Sequence, residues 1–290
     1  MKIAGLSDLH GYLPDNIPTC DVLCISGDII PLQIQRKSFA SIRWWLRDFC
    51  NWVCRLPCNK VIFTAGNHDI VLERLYKSNL FYKFIALLEQ YSNDKAILLI
   101  NERYTYKGIN FYGFPYIRPI PFQEGKWAFE DDYKGINSPS VYDTIPKTDI
   151  DVLITHDTPF KNNCLDKIAE NLPYTTIFYG HWHDGASDEF QEQYNCSIRD
   201  DEYNIKEDFE IPVVEVETEK SKIEEIFDTM INNIPMYTAL KHYDNFQVNA
   251  IKEYLQLNKE FFLKQQEDEI PLPITGDIID ESTKEDSKED

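Results

Sequence analysis

Apolar residues along the 290-residue chain fall into short runs, and five of these runs end in the same way. Residues 2–8 (KIAGLSD) end at Asp8, 21–28 (DVLCISGD) at Asp28, and 60–67 (KVIFTAGN) at Asn67. Residues 151–156 (DVLITH) end at His156, and 176–181 (TIFYGH) at His181. Each run is rich in β-branched and aromatic residues without clean alternation, which predicts strands covered on both faces. Glycine stands directly before Asp28, Asn67 and His181, where a sharp turn or close backbone approach favours it. Further strands are expected at 97–100 and 109–113, separated by a Lys107-Gly108 turn, with two last strands at 194–199 and 211–217.

Between the strands the period changes. Residues 36–56 place Phe39, Ile42, Trp45, Leu46, Phe49, Val53 and Leu56 at three- and four-residue intervals, the signature of an amphipathic helix. Residues 71–91 repeat it with Val71, Leu72, Leu75, Leu80, Phe84, Leu87 and Leu88. Alternating strands and helices imply an α/β sheet, in which sites gather at the carboxyl ends of strands. A Pro- and aromatic-rich connection spans 114–148, long enough to be functional or mobile. The expected organisation is a domain over 1–218, a helical extension over 219–265 broken near Pro235, and an acidic tail over 266–290 too polar to fold alone.

Charge narrows the partners. The formal net charge is −20; residues 267–290 carry ten acidic residues against Lys284 and Lys288, so the rest still holds −12. That sign repels a phosphate backbone at long range and disfavours a nucleic acid polymer as partner. It leaves room for a small phosphorylated substrate held locally by metal. No apolar run reaches the roughly 20 residues of a membrane span, and Asp8 interrupts any leader-like apolar core. Seven cysteines, an odd number, point to free thiols and a cytoplasmic setting. Cys50, Cys54 and Cys58 lie four apart but match no zinc or cluster spacing, so they are expected to be structural.

Histidine usage carries the chemistry. Five of six histidines (His10, His68, His156, His181 and His183) sit at strand ends, interleaved with Asp8, Asp28 and Asn67; only His242 stands apart. In Asp8-Leu9-His10 and His181-Trp182-His183, alternate residues of an extended backbone would face one center, with Leu9 and Trp182 turned into packing. Mixed Asp, His and Asn ligands without cysteine favour a hydrolytic cation such as Mn²⁺, Fe or Zn²⁺. Asp69 is expected either to orient His68 or to cap the next helix.

Asp8-x-His10, Gly27-Asp28, Gly66-Asn67-His68-Asp69, Thr155-His156 and Gly180-His181-x-His183 together resemble the ordered motifs of the calcineurin-like metallophosphoesterases, over roughly residues 1–217. The resemblance implies a four-layer αββα sandwich with a C-terminal helical extension, and two divalent metal ions, Mn²⁺ first, with Fe, Zn²⁺ or Mg²⁺ as alternatives. It implies that Asp8, His10, Asp28 and His183 hold one metal. A second would be held by Asp28 with Asn67, His156 and His181. His68 would be the general acid while a metal-bridged hydroxide attacks phosphorus.

No arginine follows Gly27-Asp28, unlike the Ser/Thr protein phosphatases. No tyrosine ligand follows Asp28, unlike the purple acid phosphatases. Gly113-Phe114-Pro115 and Trp127-Ala128-Phe129 are similar to elements of the small bacterial and brain-type phosphodiesterases, which makes a phosphodiester the expected substrate. Arg118 is the candidate substrate contact. Trp127 and Phe129 are expected either to stack on a nucleobase or to cover the core. A phosphomonoesterase or nuclease, or a metal-free scaffold or protein-interaction module on the same fold, are the alternatives; separately, residues 219–290 are a candidate segment for binding a protein partner. Nothing in the sequence accounts for Asp157 beside His156.

Overall fold

The computed structural model describes residues 1–131, 140–172, 175–188, 191–217, 230, 252–253 and 255–260. One unit comprises Met1–Thr218 and another Glu219–Asp290. Most of the expected helical extension, with Pro235 and His242, and the whole acidic tail lie outside the described residues.

Two five-stranded mixed sheets organise the first unit. In one, β1 (Lys2–Leu6), β2 (Val22–Ser26), β3 (Lys60–Thr64) and β4 (Ala96–Leu98) run parallel, and β10 (Val213–Glu215) adds an antiparallel edge beside β1. In the other, β5 (Glu102–Tyr106) pairs antiparallel with β6 (Ile109–Phe114). Parallel neighbours β7 (Val152–Thr155), β8 (Thr176–Tyr179) and β9 (Gln193–Asn195) then follow.

Strand alternation builds three apolar layers. Ile3, Val22, Cys24 and Ile62 of the first sheet meet Phe111, Val152, Ile154 and Phe178 of the second, forming the core between the sheets. Their alternates Ala4, Leu23, Ile25, Val61 and Phe63 face helices on the other side. Tyr112, Leu153, Ile177 and Tyr179 pack outward against Leu165 and Ala169 of α5 (Asn163–Glu170). Both faces of every inner strand are therefore buried, the physical reason for unpatterned apolar runs. The result is the expected four-layer αββα sandwich.

Several elements differ from the sequence expectation. The helix over 36–56 is α1 (Ser38–Trp44), a π-helical turn (Trp45–Phe49) and α2 (Cys50–Arg55). Trp45, Phe49 and Trp52, spaced as one helical face, all enter the core, with Trp45 stacked on Phe63 at 5.6 Å. Phe39 instead stays 83% exposed at the helix start. The helix over 71–91 is two, α3 (Ile70–Tyr76) and α4 (Phe81–Ser92), with Leu80 exposed in the break. Lys107-Gly108 joins β5 to β6, whereas the strand near residue 97 belongs to the other sheet. The two last strands likewise divide between the sheets. Helix α5 carries no apolar run long enough to announce itself; its start is fixed by Asn162, whose side chain accepts from Cys164 N and Leu165 N.

All seven cysteines are free. Cys50 and Cys58 are buried, while Cys54 is exposed. No helix among the described residues is long and apolar enough to cross a membrane.

Candidate metal centre

The residues after β1, β2, β3, β7 and β8 converge at the strands' carboxyl ends. Asp8, His10, Asp28 and His181 all adopt the left-handed backbone region, at φ 55, 43, 53 and 65°. Asp8 and His10 are thus brought to one side by tight turns, and the extended alternation expected for Asp8-Leu9-His10 is not the cause. Backbone bonds lock the first two loops together: Asp8 N donates to Gly27 O, His10 N to Asp28 O, and Gly11 N to Ile29 O. Leu9 is buried, but Trp182 is 42% exposed and lines the cleft, contrary to its expected packing role.

The glycines before the polar residues are required by crowding. A methyl group on Gly66 would lie 2.2 Å from Asp28 Oδ1, and one on Gly180 would lie 1.9 Å from Ser7 Oγ and 2.5 Å from Asp8 Oδ2. Asp69 neither orients His68 nor caps α3 with its side chain. Its fully buried carboxylate accepts from Gly66 N (2.8 Å), Ile30 N (3.0 Å) and Ile29 N (3.2 Å), tying the loops after β2 and β3. Burial and the nearby Asp28 carboxylate push Asp69 up to about 7, against the pull of those three N–H groups.

Asp28 is the hub. Its Oδ2 lies 3.4 Å from His156 Nε2, 3.8 Å from His68 Nε2 and 3.9 Å from His10 Nε2. Its Oδ1 accepts from His68 N at 2.7 Å. Asp8 Oδ1 stands 3.5 Å from His183 Nε2. His156 Nδ1 donates to Ser26 O (2.7 Å) and His183 Nδ1 to Asp200 O (2.8 Å), an assignment in which each Nε2, protonated toward its carboxylate here, would offer a lone pair to a cation on losing that proton. Asn67 Oδ1 sits 3.0 Å from His156 Nε2, and the His181 ring lies 5.1 Å from that of His156.

Electrostatics fit a cation. Burial pushes Asp8 up, yet its hydrogen bond to His183 and the nearby His156 hold it at about 2. Asp28 is held well below the carboxylate range by His156 and His68, despite its burial. Burial lowers His10 to about 4, while the Asp28 charge outweighs burial at His156 and raises it to about 10. His10 is buried with neither ring nitrogen hydrogen-bonded, a costly arrangement that a bound cation relieves. Three groups bring their donor atoms within 4.8 Å of one another: Asp8–His10–His183, His10–Asp28–His68 and Asp8–Asp28–His156. His181 stands outside these groups but borders the same cleft, as does Asn67, whose Oδ1 adjoins His156 of the third group.

That cleft has a volume of about 550 Å³, and Arg118, Trp127, Lys161, Trp182 and Tyr203 contribute to its walls. Arg118 reaches it while its Nε donates to Asn162 Oδ1 at 3.3 Å. Trp127 belongs to the cleft, with its ring 4.6 Å from that of His68, whereas Phe129 is fully buried in the core. Asp157, left without a role by the sequence, accepts from Arg118 N, Tyr142 Oη and Asn162 Nδ2 and so pins the connection that carries Arg118. Sequence reasoning missed Gln35, whose Oε1 lies 2.7 Å from His68 Nδ1, and Tyr203. Nothing in the pattern around either residue marks it.

A two-sheet sandwich with carboxylates and histidines gathered at its strand ends is the architecture of a metal-dependent hydrolase of the phosphoesterase type. The chain belongs to the calcineurin-like phosphoesterases, whose family profile matches residues 1–185. It is 28% identical over 172 residues to human metallophosphoesterase domain-containing protein 1, covering 54% of this chain and 48% of that protein. The mouse counterpart matches equally. A probable rhamnogalacturonate lyase C of Emericella nidulans is 27% identical over 207 residues, covering 65% of this chain and 18% of that protein. The chain thus spans about half the length of the metallophosphoesterase domain-containing relatives.

Proposed function

We propose that the chain is a dinuclear metal-dependent phosphoric ester hydrolase acting on a small phosphodiester, nucleotide-like in size. The observation that carries this reading is the Asp28 carboxylate, fully buried and faced within 4 Å by His10, His68 and His156. Asp8, His10, Asp28 and His183 are assigned to one divalent cation. Asp28, Asn67, His156 and His181 are assigned to a second. The oxygen and imidazole donor set, without thiolate, suits Mn²⁺, with Fe, Zn²⁺ or Mg²⁺ as alternatives. Bound there, such a pair lowers the pKa of water to near neutral and neutralises phosphoryl charge.

The chain's own groups do the rest. Ser26 O and Asp200 O fix the tautomers of His156 and His183. Gln35 Oε1 accepts from His68 Nδ1, which orients the ring with Nε2 toward the cleft. His68, once protonated at Nε2, delivers that proton to the leaving alkoxide; burial lowers its pKa and makes it a readier donor. Arg118 is assigned to the substrate's far side. A cleft of about 550 Å³ gives room for groups on both ester oxygens, which favours a diester over a monoester. The orphaned His10 nitrogens argue against a metal-free scaffold. Seven free thiols support a cytoplasmic setting. Protein partners are assigned to residues 219–290, a role that deletion of this segment tests directly.

The decisive experiment is metal analysis of the purified full chain with hydrolysis of aryl phosphodiesters and monoesters in added Mn²⁺. About two metals per chain and faster diester cleavage are expected. Absence of bound metal together with inertness toward both ester classes would end this reading.

A further inference from the structure

We propose that Tyr203, eighteen residues beyond the matched family region, is a substrate-contacting residue whose phenol donates a hydrogen bond to a phosphoryl oxygen. The inference rests on the phosphoesterase reading above. Tyr203 sits in the loop after Arg199, and its ring lies among three imidazoles: 5.0 Å from His183, 5.1 Å from His10 and 6.4 Å from His68. It lines the same cleft as Asp28, His68, His181 and Trp182 and is 41% exposed, so the ring is reached from solvent on the side where substrate enters. Its hydroxyl makes no hydrogen bond among the described residues, although its ring lies beside three imidazoles.

The backbone holds Tyr203 there against its preference. Its φ is +66°, a left-handed conformation that a bulky L residue adopts only under constraint. The surrounding hydrogen bonds supply that constraint. Tyr203 N donates to Asp200 O at 2.9 Å, Asp200 Oδ1 accepts from Glu202 N and Asn204 N, and the Arg199 guanidinium donates to Tyr203 O. The same Arg199 donates to Leu9 O, between Asp8 and His10, and Asp200 O is also the acceptor of His183 Nδ1. Lys206 Nζ, three residues on, donates to His183 O and Ser197 O. One loop is thereby tied to two of the three segments that supply the first cation's assigned ligands, and the residue it presents to the cleft is a phenol with an uncommitted donor. A neutral donor beside two buried carboxylates suits an anion that is itself held by cations.

The test uses the metal-loaded full chain and inorganic phosphate as probe. Tyr203→Phe keeps the ring and removes the donor. It is expected to weaken phosphate binding about tenfold, the usual loss for one hydrogen bond to a charged group. Metal stoichiometry and Tm are expected to stay at the wild-type values, and kcat/KM to fall in step. Unchanged phosphate affinity in Tyr203→Phe, loss of metal from that variant, or a wild-type protein that binds no phosphate would each overturn the proposal. If phosphate binding depends on Tyr203 but the wild-type protein cleaves no ester, the hydrolase reading falls and this contact stands.

Discussion

Gly180→Ala places a single methyl where the two sheets and the first motif meet. The added carbon would lie 1.9 Å from Ser7 Oγ, 2.5 Å from Asp8 Oδ2 and 2.6 Å from Ser7 Cβ, and ordinary contacts need about 3.5 Å. Neither neighbour is a flexible surface group. Ser7 and Asp8 are fully buried, Ser7 Oγ donates to Ser26 O at 3.0 Å, and Asp8 Oδ2 accepts from His181 N at 3.2 Å. Relief therefore requires β8 to move away from the end of β1 by about 1.5 Å. Overpacking costs about 1–3 kcal/mol, and loss of the buried Ser7 hydrogen bond adds about 1 kcal/mol, giving about 2–4 kcal/mol in all. For a unit of this size the expected fall in Tm is roughly 5–15 °C.

The effect on metal should exceed the effect on folding. Ligand atoms tolerate displacements of only about 0.2 Å, and the clash falls directly on an Asp8 carboxylate oxygen. Metal content after desalting, read by atomic emission, should drop for Gly180→Ala, while thermal unfolding in EDTA isolates the steric cost. Gly125→Ala is the control. Its added methyl meets nothing within 4 Å, so only the strain of φ +73° is imposed, about 1 kcal/mol, with metal retained. If Gly180→Ala keeps its full metal complement and melts no lower than Gly125→Ala, the packing account of this junction is refuted.

Asp28→Asn should abolish turnover and lower metal content, since a neutral amide replaces the carboxylate shared by three imidazoles; retained metal with normal rates would show that Asp28 is not the hub. His68→Ala should keep its metal while kcat falls about 10²–10⁴-fold, and a variant as fast as wild type would remove His68 as general acid. Metal uptake should release protons at pH 7. The folded pKa of His156, about 10, lies above its unfolded value of 6.5, so its imidazolium stabilises the cation-free fold fully below pH 6.5 and loses that effect as pH rises through about 10. A cation needs the neutral ring, so apparent affinity should rise from pH 7 to 9. Calorimetry in two buffers of different ionisation enthalpy reads the protons released; His156→Gln should release about one fewer, and an equal count in both proteins would refute the titration.

The strands were legible because each inner one is apolar on both faces and stops at a polar residue. Their burial leaves no other composition available to Val22–Ser26 or Val152–Thr155. The helices were legible where packing follows the regular period and illegible where it does not. No period predicts the widened turn at Trp45–Phe49, nor the break at Leu80. At the center, Asp8, His10, Asp28, Asn67, His156, His181 and His183 stood out because five histidines shared one context. Gln35 and Tyr203 did not, because each acts through a distance set by a loop, and loop geometry has no periodic trace. Trp182 was misjudged for a related reason: the His181 turn is left-handed, so alternation along an extended chain says nothing about where the next side chain points.

That left-handed geometry also explains why folding and cation binding are expected to share residues. Asp8, Asp28 and Asn67 follow strands of one sheet, while His156 and His181 follow strands of the other. The second set is aimed by contacts to the first: His156 Nδ1 donates to Ser26 O, and His181 N donates to Asp8. The center therefore spans the seam between the sheets, and its cation-free form carries two ionised, buried carboxylates, Asp8 compensated by His183 and His156 and Asp28 by His156 and His68. Bound cations add favourable partners to those charges and none to the unfolded chain, so they stabilise the sandwich by mass action. Removing one histidine leaves a buried carboxylate under-compensated and also loosens the seam. Losses from His156 and Asp28 substitutions should for this reason fall well short of additive.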